Sequence, residues 1–195
     1  MDIVFSSARL ALRRFAASDA DLVTELDGDP EVMRYLTGGG PTPRDVVVAE
    51  RLPAMLACYD VDPTPGFLAA FERSGGEFVG WFVLRVPAYA PGTPRLPGEY
   101  ELGYRLRRPH WGKGYATEVS RLLVEHAFTT LDAVRVVAQT MTVNAASRRV
   151  MDKLGMSYVG TYFPDLPPIE GSEQGEVVYW LSKTEWDSRK NTQEI

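Results

Sequence analysis

A glycine-containing turn at residues 111–117 has the residue types best suited to binding a ligand. The turn reads Trp-Gly-Lys-Gly-Tyr-Ala-Thr; strand-forming residues at 100–106 precede it and an amphipathic helical pattern follows. Glycine lets a backbone approach a ligand closely, and the first amides of a helix are unpaired and carry the positive end of its dipole. The turn therefore predicts a binding site for an anion such as a phosphate group.

The spacing of the two glycines excludes two common nucleotide sites. A P-loop needs Gly-x-x-x-x-Gly-Lys-Ser/Thr, and a dinucleotide-binding fold needs Gly-x-Gly-x-x-Gly near the start of a βαβ unit. Residues 111–117 match neither pattern. A glycine-rich turn that binds nothing is the alternative, and the turn alone leaves both interpretations open.

Polar groups lie at informative positions on either side of this turn. In the strand before it, the side-chain period of two places Glu99 and Glu101 on one face and Tyr104 on the other. Asn144 is a suitable N-cap for a later helix. Ser147, three residues further on, either bonds the local backbone or faces a ligand.

The elements that position these residues follow from the hydrophobic pattern. Apart from one strand just ahead of Asn144, the predicted strands lie at 8–13, 67–73, 78–85, 100–106, 157–162 and 176–181. Helices fill most of the interval between the first two strands, and Pro53 should kink or divide the last of them. Four prolines at 87–97 predict a pre-ordered surface loop or an insertion.

Composition limits the class of protein. A chain of 195 residues with 45% hydrophobic and 24% charged residues is typical of one soluble globular domain. A net charge of -5 argues against nucleic acid as a partner, and no long apolar run suggests a membrane segment. One cysteine cannot form an internal disulfide, which favours the cytoplasm. His110 and His126 lack the spacing of a zinc site, so no metal is expected.

Three motifs, taken together, resemble those of the GNAT acetyltransferases. They are Glu101-Leu102-Gly103-Tyr104, Trp111-Gly112-Lys113-Gly114-Tyr115-Ala116-Thr117-Glu118, and Asn144-Ala145-Ala146-Ser147 with Lys153-Leu154-Gly155-Met156. The branch that is most similar is the RimJ and RimL type, which acetylates the N-termini of ribosomal proteins. The resemblance implies one α/β (α+β) domain at residues 8–182, with a mixed, mostly antiparallel central sheet that is splayed and flanked by helices. Residues 183–195 are then a polar C-terminal tail.

The resemblance also implies acetyl-CoA as co-substrate and a set of residues that would hold it. Main-chain groups of the strand would pair with the pantetheine arm, the amides of the turn would receive the pyrophosphate with Lys113 adding charge, and the Asn144 amide would hold the arm. The implied set is Tyr104, Leu106, Trp111, Gly112, Lys113, Gly114, Tyr115, Ala116, Thr117 and Asn144. Trp111 departs from the family, since many members carry Gln or Arg there.

Catalysis by direct attack requires a neutral amine and a stabilised thiolate. The family places a carboxylate on the strand before the turn, so Glu101 is the expected base, with Glu99 as a substitute. Many members donate to the thiolate from a tyrosine at the position that Met151 occupies here. Because methionine cannot donate, Ser147 becomes the candidate, as the RimJ and RimL branch has a serine at this place.

The expected acceptor is an amine, most directly a protein or peptide N-terminus. A small molecule such as a polyamine or aminoglycoside is the alternative, and a regulatory module that only binds acyl-CoA is another. Four carboxylates near the implied acceptor cleft would attract a cationic amine, or are merely solvated: Asp165, Glu170, Glu173 and Glu176. The sequence leaves a homodimer open.

Overall fold

A computed structural model describes residues 2–60, 64–87 and 96–193 of the chain. Its strands are β1 (Ile3–Ser6), β2 (Leu10–Arg14), β3 (Gly66–Glu72), β4 (Phe78–Arg85), β5 (Glu99–Leu106), β6 (Arg135–Met141), β7 (Ser157–Tyr162) and β8 (Glu176–Ser182). Its α-helices are α1 (Ala20–Gly28), α2 (Pro30–Thr37), α3 (Arg44–Val46), α4 (Leu52–Ala57), α5 (Tyr115–Thr129), α6 (Ala145–Leu154) and α7 (Lys183–Gln193). Within these ranges no helix is both long and apolar enough to span a membrane.

The described strands form one sheet in the order β1-β2-β3-β4-β5-β6-β8-β7. Neighbours are antiparallel except for β5 and β6, which run parallel because α5 crosses over between them. The mixed, mostly antiparallel sheet flanked by helices confirms the expected fold class. The hairpin predicted between the strands at 67–73 and 78–85 is also confirmed.

Both faces of the sheet are covered by apolar side chains. Helix α5 buries Val119, Leu123 and Ala127 on one face, against strand residues that include Phe82. Helices α1 and α4 cover the other face, where Leu26 and its neighbours pack on residues of β3 and β4. The alternation of β5 thus sends its carboxylates toward the α1–α4 face and Tyr104 toward α5 and α6.

The sheet opens between β5 and β6. Their recorded pairs are Glu99 with Arg135, Tyr100 with Val136 and Glu101 with Val137, whereas β5 stays paired with β4 as far as Leu106. The amide of Arg107 donates to the Val79 carbonyl of β4 (2.9 Å). Since main-chain groups alternate between the two edges of a strand, those of Tyr104 and Leu106 point toward the opening.

The C-terminal segment differs from the expected polar tail. Residues 183–193 form α7, and the Trp186 ring packs on Phe128 with centroids 5.2 Å apart. Ser182 and Glu185 cap the helix reciprocally: Glu185 accepts from the Ser182 amide (2.8 Å) and donates its own amide to the Ser182 hydroxyl (3.2 Å). This Ser-x-x-Glu capping box was visible in the sequence, so the helix start was predictable.

The structure adds a strand before the first predicted one and a π-helical turn within the last helix of the α1–α4 layer. The single strand expected at 8–13 is preceded by a second one, β1, which pairs with β2 as a hairpin. The last helix of the α1–α4 layer is interrupted by a π-helical turn at Val47–Arg51, directly before the turn that contains Pro53. Most of the proline-rich loop at 87–97 lies outside the described residues.

Candidate active site

The turn after β5 forms a cradle at the start of α5, which we call the anion cradle (residues 112–117). Gly112 and Gly114 have φ values of +73° and +83°, which disfavour any residue with a side chain, and Gly114 is the N-cap of α5. A Cβ on Gly112 would meet no atom within 4 Å, so the space above it is open. The Glu118 amide donates to the Gly114 carbonyl (3.0 Å), and the three helix amides before it therefore have no acceptor within the helix.

The side chains of the anion cradle are anchored to β3. Tyr115 donates its hydroxyl to the Glu72 carboxylate (2.7 Å), and Lys113 Nζ lies 3.7 Å from the same oxygen. Lys113 is about half exposed, so its amine can still reach a bound anion. The Tyr115 hydrogen bond lowers the pKa of Glu72.

Trp111, which directly precedes the anion cradle, is bonded to the end of β5. Its Nε1 donates to the Leu106 carbonyl (2.7 Å), and 47% of its surface is exposed. One of the two main-chain groups expected to face the pantetheine arm thus has an internal partner. A carbonyl has two lone pairs, so Leu106 keeps capacity for a second donor.

Asn144 caps α6 with both ends of its carboxamide engaged. Its Oδ1 accepts from the Ser147 amide (3.1 Å), and its Nδ2 donates to Thr140 Oγ1 (3.0 Å). The structure therefore gives Asn144 the N-cap role that its residue type suggested. Its contact with a pantetheine arm stays a prediction.

Tyr104 and Ser147 meet across the opening of the sheet. The Tyr104 hydroxyl lies 3.0 Å from Ser147 Oγ, and Met151 is buried one helical turn further along α6. Burial raises the pKa of Tyr104 to about 12, although the hydrogen bond with Ser147 opposes the shift. The phenol therefore keeps its proton at neutral pH and can donate. The resemblance implicated Tyr104 only through its main chain, and no sequence pattern indicates that its hydroxyl meets Ser147.

Glu101 and Glu99 have different surroundings on the opposite face of β5. Glu101 accepts from Arg85 Nε (3.0 Å) and keeps 16% of its side chain exposed. Glu99 is buried and accepts from Arg135 Nε (2.9 Å), whose guanidinium lies over a tryptophan ring. Glu101 is thus the carboxylate that a ligand can reach, while Glu99 is enclosed.

A second polar group lies on the Glu101 side of the sheet, where β8 and β7 pair. The Tyr162 hydroxyl is 2.9 Å from Glu176 Oε2 and 2.7 Å from Gln139 Oε1. Burial, together with the charges of Glu176 and Glu101, raises the pKa of Tyr162. Two carboxylates therefore act on one phenol, which makes this region favourable for a cation.

The four acidic residues near the expected acceptor cleft do not form one cluster. Glu176 bonds Tyr162, whereas Glu170 lies 3.4 Å from Arg34 of α2, and Asp165 and Glu173 are exposed. A cavity of about 180 Å³ separates α2 from the connection between β7 and β8 and is lined by Arg34, Tyr35, Val143, Glu170 and Gln174, among others.

The two histidines occupy separate environments. His110 is buried next to the anion cradle, with its ring nitrogens 3.4 Å from carboxylate oxygens of Glu72 and Glu77. His126 lies on α5 against the Phe5 ring, and burial lowers its pKa. In the described part of the chain, no group of three or more His, Cys, Asp or Glu could hold a metal ion.

The chain is similar to known proteins of one family. Residues 9–157 match the model described as Acetyltransferase (GNAT) domain. The chain is 37% identical over 183 residues to the FsC-acetyl coenzyme A-N(2)-transacetylase of Aspergillus fumigatus. The matched region covers 92% of this chain and 76% of that relative. The chain is 32% identical over 90 residues to the putative ribosomal N-acetyltransferase YdaF of Bacillus subtilis, over 46% of this chain and 49% of that protein.

The fold recurs in solved structures. An aminoglycoside acetyltransferase in complex with coenzyme A superposes with a TM-score of 0.73 at 19% identity, covering 93% of this chain and 99% of that chain. At this identity the match concerns the fold. The open sheet and the turn into α5 thus belong to an architecture that is shared well beyond close relatives.

Proposed function

We propose that this chain, which belongs to the GNAT acetyltransferase family and is an acetyl-CoA-dependent N-acetyltransferase, acetylates the primary amine of a small molecule. The observation that carries the proposal is the position of two carboxylates, Glu101 and Glu176, on the same face of the sheet beside the opening, where Glu176 accepts from the Tyr162 hydroxyl (2.9 Å). A cationic amine would be drawn to this side. The relative with the larger overlap, whose name gives N(2) as the acetylated position, supports a small acceptor.

Acetyl-CoA fits the features on the other side of the opening. The anion cradle offers unpaired amides and open space at Gly112, which suits the pyrophosphate. The outward main-chain groups of Tyr104 and Leu106 suit the amides of the pantetheine arm, which can pair with them as a further strand would. When bound, acetyl-CoA supplies an activated thioester whose leaving group is a thiolate.

Glu101 takes the proton of the attacking amine in this proposal. An alkyl ammonium is not a nucleophile, so the acceptor must lose a proton before or during attack. Arg85 fixes the carboxylate through one oxygen and leaves the other to meet the amine or a water molecule. Attack then occurs directly, with both substrates bound, since nothing in the described site suggests an activated nucleophile on the protein.

Ser147 stabilises the leaving thiolate, and Tyr104 forms a hydrogen bond with the Ser147 hydroxyl. The Tyr104 phenol stays protonated and can donate to Ser147 Oγ, which leaves the serine hydroxyl hydrogen free to point at the sulfur. This arrangement supplies a donor where Met151 cannot. A hydrogen bond, rather than complete proton transfer, is sufficient for a good leaving group.

Substituting Ser147→Ala is expected to lower kcat by about tenfold, because one hydrogen bond to the developing thiolate is lost. The dissociation constant of coenzyme A should change little, since the Ser147 amide, which donates to the Asn144 cap of α6, is retained. Steady-state kinetics and calorimetric titration measure the two quantities. Ser157→Ala, which removes a hydroxyl bonded to Glu185 of α7, is the matched control. An unchanged kcat in the Ser147 variant would remove it from the mechanism.

The acceptor class is tested by incubating the protein with labelled acetyl-CoA and fractionated extract of the source cells. We expect the label to appear in the small-molecule pool, and we expect purification of that pool to yield a labelled amine. Label confined to one protein band would contradict a small acceptor and favour the second candidate. A failure to transfer label to any fraction would contradict the assignment of an amine acceptor altogether.

The second candidate is acetylation of a protein or peptide N-terminal amine. The similarity to the putative ribosomal N-acetyltransferase of Bacillus subtilis favours it, although that similarity spans about half of each chain. Both candidates use the same base and the same anion cradle. They differ in the acceptor, which is why the labelling experiment separates them.

The proposal places the enzyme in the cytoplasm, where its single thiol, Cys58, would stay reduced. Its net charge of -5 would repel a nucleic acid or an anionic membrane surface, so neither is part of the proposal. Association into a homodimer is compatible with the proposal but is not required by it.

A further inference from the structure

The turn between β1 and β2 reaches across the sheet to the anion cradle. Arg9 Nη1 donates to the Lys113 carbonyl (2.9 Å), and the Arg9 guanidinium lies 4.5 Å from the centroid of the Tyr115 ring. A Cβ placed on Gly114 would come within 3.5 Å of Arg9 Nη2. A residue about a hundred positions away in the sequence thus forms one wall of the anion cradle.

Glu118 holds this arginine in place from the first turn of α5. Its Oε2 accepts from Arg9 Nε (2.7 Å) and is 2.6 Å from Nη2, while its Oε1 accepts from the Arg9 amide (3.0 Å) and the Ser7 hydroxyl (2.7 Å). Both carboxylate oxygens are therefore occupied. Arg73 also stabilises the turn between β1 and β2, because its Nη1 donates to the Ser7 carbonyl (3.2 Å).

The charge of Glu118 is unfavourable for an anion unless it is cancelled. A carboxylate in the first helical turn interacts well with the helix dipole, but it also repels a phosphate group that binds at the same helix start. Arg9 cancels that charge because two nitrogens of its guanidinium contact the same Glu118 oxygen, Oε2. Arg9 also donates to the Lys113 carbonyl, which is a second electronegative group in the anion cradle.

We propose that Arg9 is a positioning residue for the anion cradle: it neutralises Glu118, fixes the Lys113 carbonyl and so lets the cradle receive the pyrophosphate of coenzyme A. This inference rests on the proposed use of acetyl-CoA and concerns its binding, not the choice of acceptor. Ser7 holds the Glu118 carboxylate that Arg9 neutralises. The 47% exposure of the Arg9 side chain limits the effect to a moderate change in affinity.

The test is a double-mutant cycle read out as the dissociation constant of coenzyme A by calorimetric titration. Arg9→Gln is expected to weaken binding by about fivefold, because it leaves the Glu118 charge uncancelled beside the anion. Adding Glu118→Gln to that variant should restore most of the affinity, since the repulsive charge is then gone. Arg44→Gln, which loses the same charge from an exposed pair with Asp21, is the matched control and should bind as the unmodified protein does.

The outcomes separate the inference from the proposed function. The role of Arg9 would be overturned if the Arg9→Gln variant bound coenzyme A with unchanged affinity. It would also be overturned if the double variant bound coenzyme A no more tightly than the single variant. If Arg9→Gln weakens the binding of coenzyme A and of 3'-dephospho-coenzyme A equally, Arg9 acts at the pyrophosphate. If the variant binds 3'-dephospho-coenzyme A as tightly as the unmodified protein does, that action is overturned. Failure of the unmodified protein to bind coenzyme A would instead refute the proposed co-substrate. Melting temperatures of all variants verify that they are folded.

Discussion

Replacing Glu101 by Gln is expected to lower kcat by about 10²–10⁴-fold, because the variant keeps the shape of the side chain but cannot accept the amine proton. The bond from Arg85 to a side-chain oxygen can persist, so the fold around β5 should be retained. Coenzyme A should bind with unchanged affinity, since Glu101 lies on the opposite face of the sheet from Ser147 and the anion cradle. Steady-state kinetics with the amine found by labelling, together with titration of coenzyme A, measure both effects.

Glu99→Gln is the matched control for this experiment, because Glu99 lies on the same face of the same strand. It is enclosed and paired with Arg135, so its substitution should lower the melting temperature and leave kcat largely intact. Equal losses of kcat in both variants would indicate a general disturbance of β5 and would contradict a specific role for Glu101.

Gly80→Ala is expected to destabilise the protein by roughly 3 kcal/mol or more, which is a large fraction of the about 5–15 kcal/mol by which a typical domain is stable. Gly80 has a φ of +144°, and a Cβ there would lie 2.2 Å from the Arg105 carbonyl oxygen of β5. The contacting atom belongs to the backbone, so relief requires β4 and β5 to move apart. Denaturant unfolding of the purified variant, or its recovery in the soluble fraction, measures the effect.

Gly75→Ala provides the comparison in the turn that joins β3 and β4. A Cβ on Gly75 would meet no atom within 4 Å, so the substitution should be neutral or stabilise the fold slightly. A Gly80 variant as stable as the Gly75 variant would show that β4 and β5 can separate at no cost, contrary to the close approach at Gly80.

The segments that sequence reasoning located well are those whose signals are local. The strand at 100–106, the turn at 111–117 and the helix after Asn144 all have boundary residues next to their periodic patterns, and the structure places them as expected. Helix α7 was missed although its capping box is equally local, because the polar composition of residues 183–195 suggested a tail. Its packing through Trp186 depends on α5, which no local pattern reveals.

The parts of the site that sequence reasoning could not find depend on pairs of residues that are distant in the chain. Arg9 approaches Glu118 because the turn between β1 and β2 lies beside the start of α5, and Tyr162 meets Glu176 because β7 pairs with β8. Spacing carries no information about such pairs. The choice between Glu99 and Glu101 likewise needed the structure, because alternation places both on one face and only burial distinguishes them.

The opening between β5 and β6 also bears on aggregation. A strand edge with free amides and carbonyls normally invites pairing with the edge of another molecule, and proteins protect such edges with charges or bulges. Here the free edge of β5 is recessed inside the sheet, because β6 continues beside it to Met141 and Tyr104 reaches Ser147 across the gap. An edge that lies between two strands of one sheet is harder for another molecule's strand to reach than an outer edge is. The opening in which we propose that the pantetheine arm binds therefore leaves β5 less exposed to edge-to-edge pairing than the outer strands β1 and β7 are.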